Sequence, residues 1–137
     1  MSTPFGPQLI GETEKSLNAL LRRTLHGTGL SEPDWVTLRL AVQLDGTVGD
    51  DGLAGAVADR AHFTGTDQLV RGLTDRGLLD DGRITDEGRR LVGSLQATIA
   101  ERSAPIWHQL SATDVAATER VLHLILARAR RVLAQDA

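Results

Sequence analysis

The stretch RGLLDDGRITDEGRRL, residues 76–91, decides how the chain is read. Leu78 and Leu79 lead as an apolar pair into Asp80-Asp81-Gly82-Arg83. Ile84-Thr85 follows, and Asp86-Glu87-Gly88 opens a helical pattern. A Gly-punctuated turn between two short extended segments predicts a tight β-hairpin. The hairpin is minimal, and the stretch as a whole carries as many acids as bases. What it is for depends on the elements around it.

Immediately upstream, TDQLVRGLTDRG predicts a short helix with Leu69, Val70 and Leu73 facing inward and Gly77 as its stop. Phe63-Thr64-Gly65 separates it from another short helix, LAGAVADRA. Thr64 is a cap residue for the later helix, and Asp50 or Asp51 for the earlier one. Two short helices joined by a tight turn and followed by a hairpin form a helix-turn-helix with a wing. DGTVGDDG, before them, is a turn with room for a very short strand at Thr47-Val48.

Further out the pattern stays helical. Leu9, Ile10, Thr13, Leu17, Leu20, Leu21 and Leu25 recur at three- and four-residue spacing, and Gly27-Thr28-Gly29 ends that stripe. Ser31 caps a second helix with Pro33 in its first turn and Trp35, Leu38, Ala41 and Val42 inward. After the hairpin a long pattern runs through Leu91, Leu95 and Ile99 and is interrupted at Pro105. Ser111 and Asp114 start a last helix with Val115, Leu122, Ile125, Leu126, Ala129 and Val132 or Leu133 on its buried side. The fold class expected is mainly α: about six helices and one minimal β-hairpin. The two terminal patterns hold more apolar surface than a small central lobe can cover, which points to a two-fold homodimer.

Composition sets bounds on this picture. The chain has 137 residues, 41% hydrophobic and 24% charged, with net charge −3. That length gives one domain with its own core, and the balance is that of an ordered protein. A protein that coats phosphates nonspecifically is normally basic, so any nucleic-acid role must use local patches. The absence of cysteine excludes disulfides, thiol nucleophiles and thiolate metal sites. No signal peptide and no membrane-length apolar run is read, so the expected location is cytoplasmic, with no membrane partner.

LSEPDWVTLRLAVQLDGTV, LAGAVADRAHFTGTDQLVRGLTDRGLL and ITDEGRRL, in that order and spacing, resemble the MarR family of winged-helix transcriptional regulators. The most specific pieces are Leu73-x-x-x-Gly77-Leu78 before the hairpin and Thr85-x-x-Gly88 after it. The resemblance covers nearly the whole chain. It implies a single domain over residues 1–137, with a winged helix-turn-helix lobe over 31–90 and dimerisation helices over 5–28 and 89–135. It further implies a homodimer whose two lobes read a pseudo-palindromic operator in double-stranded DNA. A small-molecule effector bound between lobe and dimer region would then alter DNA affinity.

A recognition helix needs hydrogen-bonding side chains near its N-terminal end and cations beside them. Thr64, Thr66 and Gln68 meet the first need, since Gln pairs with adenine and Thr offers a hydroxyl or a methyl. Arg71 and Arg76 supply cations. In the family the arginine of a longer wing enters the minor groove, and Arg83 is the one cation at this tip. The bland alternatives are N-capping for Thr64, a solvated helix face for Thr66 and Gln68, and pairing of Arg83 with Asp80 or Asp81. Asp67 faces phosphate awkwardly. Six arginines stand against seven acids between residues 59 and 90, a neutral lobe that predicts modest affinity and a shallow salt slope.

For the effector, the resemblance puts a cleft near the end of the first helix, the start of the second and Pro105. His26, Trp35, Arg39, Trp107 and His108 approach it, a set suited to a planar acidic or phenolic ligand. Core packing is the plainer role for Trp35, and wedging a helix junction for Trp107. No histidine pair at i, i+4 exists, so no metal is expected. No nucleophile motif, phosphate loop or cofactor fingerprint is present, so neither catalytic residues nor a cofactor are assigned. The alternative is a winged-helix scaffold turned into a small-molecule-binding protein or enzyme with weak or no DNA binding. Its acid–base candidates are His26 and His108.

Overall fold

The first helix, α1 (Pro7–Leu25), starts where Pro7 supplies a preset φ at the first turn, and it carries Arg22 and Arg23 in its last turn, where the helix dipole favours cations. Gly27 and Gly29 then take positive φ and stop it. The computed structural model describes residues 2–44 and 48–136. Helix α2 (Glu32–Leu44) opens on a reciprocal cap: the Asp34 amide donates to Ser31 Oγ at 3.2 Å and the Ser31 amide to the Asp34 carboxylate at 3.0 Å. Trp35, Leu38 and Ala41 are buried as expected, and so are Thr37 and Leu40. This helix touches α1, α3, α4 and the hairpin, so more than one of its faces is covered.

Helix α3 (Asp50–Ala61) and helix α4 (Thr66–Asp75) form the helix-turn-helix. Neither begins where the cap residues predicted. Gly49 precedes α3, so Asp50 and Asp51 lie inside its first turn, while Gly65, in the left-handed region, precedes α4 and displaces Thr64 from the capping position. Helix α4 ends in a Schellman turn: the Leu78 amide donates to Leu73 O at 3.0 Å, the Gly77 amide to Thr74 O at 3.0 Å, and Gly77 has φ +78°. Leu73 and Leu78, which meet across such a turn, are both buried. The Leu73-x-x-x-Gly77-Leu78 motif is this cap.

Strands β1 (Leu79–Asp80) and β2 (Arg83–Ile84) pair antiparallel, with Leu79 opposite Ile84 and Asp80 opposite Arg83. Asp81 at φ 51° and Gly82 at φ 76° make the turn of the expected tight hairpin with two left-handed residues. The expected strand at Thr47-Val48 falls partly on Thr47, outside the described residues, and Val48 itself lies in a bend.

Thr85 then ties hairpin to helix. Its hydroxyl donates to Gly77 O at 2.7 Å and accepts the Gly88 amide at 3.0 Å. A β-carbon at Gly88 would collide with Leu78 O and Ile84, so only glycine fits there. These contacts account for Thr85-x-x-Gly88. Helix α5 (Asp86–Trp107) adds Val92 and Leu95 to the core built by α2, α3 and α4.

The chain forms two compact units, Met1–Glu101 and Arg102–Ala137. Pro105 does not end α5, as expected from sequence, but lies inside it. Lacking an N–H, it cannot bond Glu101 O, and the first unit ends at that residue. The second unit holds the end of α5 and helix α6 (Ala112–Gln135), capped by Ser111, which accepts the Asp114 amide. No residue of α6 is buried. Val115, Leu122, Ile125, Leu126, Val132 and Leu133, expected on a buried side, all lie exposed. The described residues thus hold six helices and one two-stranded sheet, a mainly α winged helix.

Candidate nucleic-acid interface

The exposed side of α4 is defined by what the core takes from it. Val70 and Leu73 are buried and Leu69 half-buried, which leaves Asp67, Gln68, Arg71, Gly72 and Asp75 outward. Gln68 and Arg71 therefore share one open face. Thr64 is exposed in the turn before the helix, and Thr66 is half-buried at its first position. At Gly72 a side chain would meet nothing within 4 Å, so the face is bare there. An open groove of about 560 Å³ runs beside this end of α4, lined by Pro33, Asp34, Phe63, Thr64 and Gln68.

Two features temper the charge of this face. Arg71 has Asp67 four residues before it and Asp75 four after, the spacing at which helical side chains are neighbours. Arg76 is turned away: its guanidinium donates to Gly29 O at 3.1 Å and lies 3.9 Å from Asp34. Arg71 is accordingly the one arginine of α4 itself, with acids on both sides.

The hairpin tip does not stand clear of the lobe. Gly82 is buried, and a β-carbon on it would strike the carbonyl group of Gly49 at the start of α3. No sequence signal links these two glycines, which are far apart in the chain and meet only in the fold. Arg83 lies on β2, exposed and opposite Asp80 in register, and no ion pair joins it to Asp80 or Asp81. The lobe thus offers Gln68, Arg71 and Thr64 from α4 and its turn, and Arg83 from the hairpin.

The five residues assigned to an effector divide between the two units. In the first, Trp35 is 3% exposed within the core. Arg39 is exposed on α2. His26 lies with Ala19, Arg22 and Arg23 around an open depression of about 480 Å³. In the second unit, Trp107, 55% exposed, lines a mostly apolar groove of about 590 Å³ with Leu110, Val115, Leu122 and Leu126. His108 is exposed. Among the described residues no three His, Asp or Glu side chains converge as a metal-binding group. No helix of the described residues is long and apolar enough to cross a membrane.

A helix-turn-helix followed by a hairpin and a long helix is the winged-helix class of fold. Within that class the structure is similar to a MarR family protein of Mycobacterium tuberculosis, Rv2887, solved in complex with p-aminosalicylic acid. The TM-score is 0.62 at 23% identity, over 90% of this chain and 98% of that one. The resemblance read from the sequence therefore holds at the level of the fold. No protein-family model matches the chain, and no curated protein matches it in sequence.

Proposed function

We propose that this protein is a sequence-specific DNA-binding transcriptional regulator, a dimeric repressor whose grip on a pseudo-palindromic operator responds to a small acidic or aromatic ligand. The observation that carries the reading is the α4 face: Gln68 and Arg71 stand together on the open side of a winged-helix recognition helix. Gln68 has the paired donor and acceptor that read adenine, and Arg71 reaches guanine or phosphate. Thr64 and Thr66 add hydroxyls at the leading end, and Arg83 serves from the hairpin. The uncovered apolar surface of α6 supports a homodimer, since a long helix with that much exposed Val, Leu and Ile needs a partner in water. The effector reading draws support from the ligand of the M. tuberculosis protein, p-aminosalicylic acid, a planar aromatic acid. The cationic depression at His26, Arg22 and Arg23 suits the carboxylate of such a molecule.

The test is fluorescence-anisotropy binding to duplex DNA from around the protein's own gene, against a scrambled duplex, at two salt concentrations. Specific, salt-sensitive binding is expected. Gln68→Ala with Arg71→Ala should abolish discrimination between the duplexes and leave the oligomeric state intact. Equal operator affinity in that double variant would remove the proposed recognition surface. One observation favours a second reading, a winged-helix scaffold that binds small molecules with little hold on DNA: Asp67 and Asp75 flank the only arginine of α4. Absence of discrimination at low salt would shift the weight to that reading.

A further inference from the structure

One side chain ties the end of α4 to the loop that precedes α2. Arg76 is the C-cap residue of α4, and its guanidinium donates to Gly29 O, 47 positions away in sequence, at 3.1 Å. The same guanidinium faces the Asp34 carboxylate at 3.9 Å, with the Arg76 side chain 42% and the Asp34 side chain 20% exposed. Asp34 is already held by the Ser31 amide in the cap of α2. Gly29 has φ +80°, and a β-carbon on it would lie 3.4 Å from the Arg76 guanidinium, so the arginine packs directly over the loop. The loop is itself ordered locally: Thr28 Oγ1 donates to Leu25 O and accepts the Leu30 amide. Arg76 therefore joins the end of α4 to a built junction between α1 and α2.

We propose that Arg76 is a positioning residue that fastens the recognition helix to the α1–α2 junction, rather than a phosphate ligand. This rests on the reading of α4 as the helix that meets DNA. A hydrogen bond at the C-terminal end of a ten-residue helix fixes where Gln68, in its first turn, and Arg71, one turn further along, are presented. A single nitrogen, Nη1, donates to the carbonyl and faces the carboxylate, and a planar guanidinium that packs over the loop holds that nitrogen in place better than a flexible lysine ammonium does. The geometry also makes α4 answerable to α1. Any shift of the junction next to His26, from dimer assembly or from an effector, pulls on the same bond.

The test uses Arg76→Ala, Arg76→Lys and Asp34→Asn in the full chain, with two readouts. The first needs no DNA: amide hydrogen exchange, residue by residue. Arg76→Ala should raise exchange at Leu30, Ser31, Gly77 and Leu78 together by about threefold to tenfold, the worth of one net hydrogen bond. Arg76→Lys should fall between it and the parent. Unchanged exchange at Leu30 and Ser31 overturns the proposal whatever the DNA result. The second readout is affinity for a specific and a scrambled duplex across a range of salt. Loss of a phosphate contact lowers the salt slope by roughly one, whereas loss of a positioning bond reduces discrimination at constant slope. Asp34→Asn separates the two ideas by sign. Removing an acid that restrained a phosphate ligand would tighten DNA binding, and that result, with a reduced slope in Arg76→Ala, overturns the proposal. Weaker discrimination in both variants supports it. Raised junction exchange in a chain that discriminates no duplex would uphold the fastening and overturn the DNA reading of α4.

Discussion

At the scale of single residues, the lobe depends on a few positions where the backbone leaves no choice. His62 ends α3 in the left-handed region at φ 57°, exposed to solvent. An L-residue there carries a strain that glycine lacks, so His62→Gly should stabilise the protein by about 1 kcal/mol, net of glycine's greater unfolded-state entropy. Urea unfolding with an unchanged m-value checks this, and a destabilised variant would show that the imidazole makes a contribution of its own. Gly88 is the opposite case. Its neighbour Leu78 O is backbone and cannot move aside, so Gly88→Ala should cost about 1–3 kcal/mol, as overpacking does. The same unfolding experiment reads it.

At the scale of elements, α4 joins the shape of the second helix of a helix-turn-helix to a mixed charge. Its open face carries Asp67 and Asp75 around Arg71. On the proposed reading, Asp67→Asn and Asp75→Asn should each tighten DNA binding by about twofold to fivefold at low salt, the scale of an exposed charge interaction. The gain should fade as salt rises, because the screening length of exposed charges shrinks from about 30 Å at 0.01 M to about 3 Å at 1 M salt. Equal affinity at every salt concentration would mean that this face does not approach phosphate. The hairpin is an element whose packing differs from its outline. Its two-residue strands leave the tip resting on Gly49, so Arg83 starts from the surface of the lobe and not from an extended arm.

At the scale of the whole molecule, the unsatisfied part is α6. Leu122 and Leu126, each more than 40% exposed, lie in the groove with Trp107, and Val121, Leu124 and Ile125 lie exposed outside it. Apolar side chains thus cover well over one face of the helix, more than a single neighbour hides. In a homodimer built on this helix, Leu122→Glu should convert the dimer to monomer, because a carboxylate would be taken out of water without a partner. Sedimentation equilibrium measures the change. A parent chain that sediments as a monomer would remove the dimer from the proposal, and a variant that stays dimeric would place the interface elsewhere.

Much of the fold was legible in the chain because local physics writes it there. Periodic leucines marked the helices, Gly82 the turn and Gly77 a helix stop, each acting over a few residues. Leu73-x-x-x-Gly77-Leu78 and Thr85-x-x-Gly88 stand in the sequence as family-like motifs, and only the structure shows them at work as a cap and a clasp. Ser31 was legible as a cap for the same reason, since its bond partner is three positions away. Gln68 and Arg71 were recoverable as surface residues from helical period alone. What the sequence could not state is which distant groups meet. The seat of Gly82 on Gly49 and the bond from Arg76 to Gly29 carry no periodic or spacing signal, because both arise only when separate elements close on one core. Helix starts were misplaced where glycine, which has no side chain to advertise a cap, took positions 49 and 65 ahead of the expected Asp and Thr. Element type followed from the order of apolar and turn residues; the contacts of Arg76 with Gly29 and Asp34 were decided by tertiary structure, because they join elements that meet only in the fold.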